Sequence, residues 1–96
     1  MSSSNFMNIV RFKLKQDCVD KYFEVINKTD FKGMIQRYIA KTGAYDFCFV
    51  GIWESAEAKA ARRSKMVAHL YEIRGFMEEL SQELGVTDPV SGNIVA

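Results

Sequence analysis

The sequence is poor in the residues that most often carry chemistry or covalent staples. Its 96 residues include one histidine, two cysteines, one proline and one tryptophan. With a single histidine, and with Cys18 far from Cys48, nothing stands at metal-ligand spacing, so no metal site is expected. Met1 to Asn5 reads as a polar start without the charged and apolar blocks of a secretory leader. The two cysteines are therefore read as reduced, in a cytoplasmic protein. No run of about 18 apolar residues occurs, which excludes a membrane-spanning helix. A formal charge of +1 lacks the basic footprint that nucleic-acid binding needs. Gly43, Gly51 and Gly75 stand alone, so there is no glycine-rich phosphate loop. Nor is there a convincing nucleophile: Ser55 reads as a helix cap, and Cys48 lies in an apolar run that would keep its thiol protonated.

What the chain does have is apolar and aromatic. Tyr45, Phe47, Phe49 and Trp53 alternate with Cys48, Val50 and Ile52, so this strand is apolar on both faces. A 96-residue chain with few helices covers one sheet face, not two. The other face calls for a second copy of the chain, or a ligand.

The remaining elements follow from periodicity and turn residues. Met7 to Leu14 reads as a first strand. Asp17 reads as the N-cap of a helix from Cys18 to Lys28, in which Val19, Tyr22, Phe23 and Ile26 share a face. Met34 to Lys41 is a second strand, and Thr42-Gly43 a two-residue hairpin turn into the third. That register sets Lys41 against Ala44 and gathers Tyr38, Tyr45, Phe47, Phe49 and Trp53 on one aromatic face. Ile35, Arg37, Ile39, Cys48, Val50 and Ile52 then fall on the reverse. Ser55 caps a long helical stretch whose stripe is Met66, Leu70, Ile73, Met77, Leu80 and Leu84, with a possible kink at Gly75 and Gly85 as C-cap. A short last strand is expected near Asn93 to Val95. The order strand, helix, strand, strand, helix, strand is a single α+β domain over residues 1–96, with the ferredoxin-like βαββαβ plan: an antiparallel sheet with both helices on one face.

Several polar residues interrupt these apolar elements. His69 flanks the stripe, either packing on the sheet or moving a proton near neutrality. Arg11 and Arg37 stand mid-strand, where each must pair, reach an edge or hold an acidic or carbonyl-bearing ligand. Arg62, Arg63 and Lys65 form a solvated basic face or an anion-binding rim. The run Phe47-Cys48-Phe49-Val50 matches the core of an RNA-recognition strand, but Tyr45 and Asp46 replace the basic residue and glycine before it.

Trp53-Glu54-Ser55, closing an apolar strand and followed by an alanine-rich helix, resembles the dimeric α+β barrel superfamily, in particular its antibiotic-biosynthesis-monooxygenase-like branch. The tail Gly85 to Gly92 resembles small members of that branch. The resemblance implies a homodimer formed through the sheet face. It also implies a cofactor-independent monooxygenase or isomerase acting on a small aromatic or carbonyl compound between the long helix and the sheet. By residue type, Asn8, Trp53, Tyr38 and Tyr71 are candidates to hold the substrate. Arg11 or Arg37 would stabilise developing negative charge, and His69 would move a proton. Haem-degrading relatives carry Asn, Trp and His where Val10, Arg62 and Glu72 stand here, so haem degradation is not expected. The other reading is a non-catalytic dimer that binds a small apolar ligand or serves assembly.

Overall fold

Backbone pairing in the computed structural model, which describes residues 5–96, gives a four-stranded antiparallel sheet in the order β2-β3-β1-β4. Of the expected polar start, Met1 to Ser4 lie outside the described residues. The strands are β1 (Phe6–Lys13), β2 (Met34–Lys41), β3 (Asp46–Trp53) and β4 (Thr87–Asn93). Three α-helices intervene: α1 (Val19–Asn27), α2 (Ala56–Ala60) and α3 (Arg63–Ile73). This is the expected α+β, ferredoxin-like architecture.

The core forms where the apolar stripe of α1 meets one face of the sheet. Tyr22 and Ile26 are buried there with Phe12, Leu14, Phe47, Ile73 and Met77, while Phe23 packs alongside. Phe12 stacks on Phe47 at 5.8 Å and tilts against Tyr22 at 5.0 Å. Before α1, Gln16–Cys18 forms a 3-10 turn, so Asp17 is not the helix cap; Cys18 takes that position without a side-chain bond. Ser55 does cap α2, its hydroxyl accepting from the Ala58 amide at 3.1 Å.

The hairpin turn is longer than the sequence suggested. Thr42 donates to the Asp46 carbonyl at 2.9 Å, so Gly43, Ala44 and Tyr45 form the loop. Tyr45 is drawn away from β2 because its carbonyl accepts from Leu14 at 2.9 Å, extending the β1 ladder. Ile39 consequently faces Phe49 and Tyr38 faces Val50. An odd shift in register reverses the faces of β2. Arg37 and Ile39 thus lie on the helix side with Phe47, Phe49 and Trp53, and Tyr38 lies on the other. An irregularity at Ile35 returns Met34 to the helix side.

The long helix is also shorter than expected. It ends at Ile73, and a 3-10 turn over Arg74–Phe76 brings Met77 into a bridge with Leu14. Hydrogen bonds from Lys15 to Phe76 and from Glu78 to Lys13, both 2.8 Å, fix this return. The stripe beyond Ile73 is apolar because Met77 enters the core, not because the helix continues. Gly85, at φ +73°, closes a turn on Ser81 and does not cap α3. The last strand begins at Thr87, earlier than expected, and accommodates Pro89 because β4 pairs on one side only, with β1.

The second face of the sheet carries a row crossing all four strands: Tyr38, Val50, Ile9 and Val90. Its outer members, Tyr38 and Val90, are 56% and 62% exposed.

Candidate functional site

Between the helix-facing side of the sheet and α1, α2 and α3 lies a cavity of about 480 Å³. Such a volume suits a small organic ligand. Its walls are mainly apolar: Val10 and Phe49 from the sheet, Ile26 from α1, and Met66, Leu70 and Ile73 from α3.

His69 reaches this cavity from α3. Its ring meets the edge of Phe31 at 5.7 Å, and Phe31 in turn lies 6.2 Å from Trp53. Nε2 of His69 is buried and has no hydrogen-bond partner among the described residues. Burial holds the imidazole below its usual pKa of 6.5; Glu72 opposes the shift, and Arg37 adds to it. The folded state therefore resists protonation more than the unfolded chain does. Its stability from this group is full above pH 6.5 and declines as the pH falls below that value. Urea midpoints measured from pH 7.5 down to about 5 should accordingly fall more steeply for the wild type than for His69→Gln.

Asn8 supplies the second polar group. It is 4% exposed, lines the cavity, and accepts at Oδ1 from Trp53 Nε1 at 2.8 Å. With the oxygen committed, the amide N–H groups of Asn8 are left to donate to a ligand. Trp53 is fully buried and acts as the support of Asn8, not as a wall of the cavity. Gly51, opposite Asn8, makes the pair possible: a Cβ there would stand 2.5 Å from Asn8 Oδ1 and 3.1 Å from Phe49. Gly51→Ala should cost about 1–3 kcal/mol of stability through this overlap, read as a lower urea midpoint.

Arg37 lies on the helix side, where Nη1 donates to the Ile26 carbonyl at 2.6 Å. It reaches the site through its field on His69 and on Tyr22, whose hydroxyl is raised well above its ordinary pKa by burial and partly restored by Arg37. The remaining candidates lie elsewhere. Arg11 pairs with Cys48 and Asp88 on the other sheet face and is exposed. Tyr38 shares that face because of the longer hairpin loop, and accepts from Gln36 at 2.9 Å. Tyr71, 68% exposed, points outward with Arg74 over its ring at 5.5 Å. No substrate in the cavity can meet these three side chains within one chain.

The sequence reading missed Lys59, Tyr22 and Phe31 as lining residues. A glycine in mid-strand signals close approach of another group, and Gly51 was such a signal for Asn8. Among the described residues, no three His, Cys, Asp or Glu side chains group to hold a metal ion. No helix among the described residues is long and apolar enough to cross a membrane.

No protein-family model matches the chain, and no curated protein does. Solved structures do match. A putative antibiotic biosynthesis monooxygenase from Chloroflexus aurantiacus J-10-fl superposes with TM-score 0.72 at 12% identity, covering 97% of this chain and 95% of that one. SnoaB, a cofactor-independent oxygenase from Streptomyces nogalater, gives 0.74 at 9% identity over 96% and 94%. A dimeric ferredoxin-like protein from an uncultured marine organism gives 0.69 at 11% over 98% and 90%. Others are of unknown function, such as NE2512 from Nitrosomonas europaea. These likenesses establish the fold, which the chain shares with antibiotic-biosynthesis-monooxygenase-like and dimeric ferredoxin-like proteins.

Proposed function

We propose that the chain is a cofactor-independent monooxygenase or isomerase for a small aromatic or carbonyl compound bound between α3 and the sheet. The observation that carries this reading is His69, which lines the mainly apolar cavity and whose Nε2 is without a hydrogen-bond partner among the described residues. A neutral imidazole takes a proton from a phenol, or from carbon beside a carbonyl, without first losing one of its own. The amide of Asn8, oriented by Trp53, is suited to hold the oxygen on which negative charge then develops. Arg37 favours the same charge through its field, and apolar walls limit its dissipation in water.

The protein works in this reading as a cytoplasmic homodimer joined through the row Tyr38, Val50, Ile9 and Val90. Dimeric neighbours of the same fold support the pairing, and the two free cysteines accord with a reducing setting. A panel of hydroquinones, anthrones and small lactones, incubated with the protein under air, tests the catalytic reading. Product formed from one of them, with no added flavin, metal or haem, is the expected result. Saturable binding with no product would favour the non-catalytic ligand-binding alternative.

A further inference from the structure

The charged side chains that line the cavity are all of one sign. Its charged lining residues are Lys59 in α2 and Arg63 in α3, and no Asp or Glu lines it. Neither cation is neutralised from nearby: the one ion pair among the described residues joins Lys28 to Glu24. The two stand one helical turn apart, because hydrogen bonds from Arg62 to Lys59 at 3.0 Å and from Met66 to Arg62 at 2.9 Å carry the helical path through the α2–α3 junction. Lys65, also basic, is exposed and does not line the cavity. Two cations bordering an apolar space, with no ion-pair partner, attract a ligand whose body is apolar and whose end is anionic.

We infer that the ligand is an aromatic acid, its carboxylate held by Lys59 and Arg63 at the α2–α3 junction and its ring system lying along α3. This rests on the proposed small-molecule site and adds its charge and its length. His69 follows Arg63 along α3 by roughly 9 Å of helix rise, at about 1.5 Å per residue. The acid group is therefore remote from the proton-transfer site. It orients the molecule and takes no part in bond changes.

Calorimetric titration with 2-naphthoic acid and its neutral isostere 2-naphthamide tests this in low-salt buffer. The acid should bind at least about tenfold more tightly than the amide, as charge-assisted contacts do. That preference should vanish in the double variant Lys59→Gln/Arg63→Gln and survive in Lys65→Gln, which removes a charge of the same sign outside the cavity. Equal affinities in the wild type, or a preference that persists in the double variant, would overturn the assignment while leaving the small-molecule site standing. Binding of neither probe would overturn the assignment, and the hydroquinone, anthrone and lactone panel then decides the small-molecule site by itself. If the double variant fails to fold by circular dichroism, the wild-type comparison and the two single variants decide in its place.

Discussion

Trp53→Ala is expected to bring the protein to the edge of unfolding. Removing a fully buried tryptophan costs about 3–5 kcal/mol through lost burial and the cavity it leaves. The same change strips Asn8 Oδ1 of its donor in a buried setting, adding about 1–3 kcal/mol. Against a typical total of about 5–15 kcal/mol, the sum leaves little margin. Trp53→Phe separates the two contributions, since it keeps most of the apolar bulk and loses the N–H. Urea unfolding followed by circular dichroism is the appropriate readout, because Trp53 is the only tryptophan and its fluorescence disappears with it. An unfolding free energy for Trp53→Ala within about 0.5 kcal/mol of wild type would show that neither contribution has this size.

The second large effect falls on turnover. Once the panel has supplied a substrate, His69→Gln should lower its rate by about 10²–10⁴-fold, the usual worth of a positioned general base. Binding of the same compound should change far less, because the apolar walls are intact. The pH profile is the discriminating signature. His69 acts in its neutral form and is held below its ordinary value by burial, so the wild-type rate should be level through neutrality and fall only at a pH below 6.5. A rate unchanged by the substitution would remove His69 from the chemistry, whatever the cavity binds.

The fold was legible in the sequence wherever a residue pattern had one physical meaning. Val19, Tyr22, Phe23 and Ile26 could only be the buried stripe of a helix, and Phe47 and Phe49 of the apolar third strand pack with that stripe. The pattern misled where two structures share a periodicity. Met77 lies at helical spacing from Ile73, yet it is buried as a bridge partner of Leu14 after the helix has ended. Leu84, the last of the stripe, is 47% exposed. His69 and Asn8 both line the cavity; the first stood out as a polar side chain flanking an apolar stripe, and the second only by residue type from the family resemblance. Tyr38 and Arg37 exchange faces and Tyr71 points outward because such directions depend on register and helix rotation. Local composition does not record either. Lys59 was passed over because a lysine on a short helix ordinarily faces solvent.

The loop Gly43, Ala44 and Tyr45 has a consequence for how such a chain could diversify. Deleting one residue while the loop keeps its three-residue form would slide β2 by one position against β3, turning Arg37 and Ile39 outward and Tyr38 toward the helix side. The space beside Phe49 would exchange a cation and an aliphatic group for a phenol, with every wall-forming codon untouched. A single insertion or deletion in this loop could therefore change which side chains β2 turns toward α1, and sequences that differ only there should be compared as different packings of the helix-facing side.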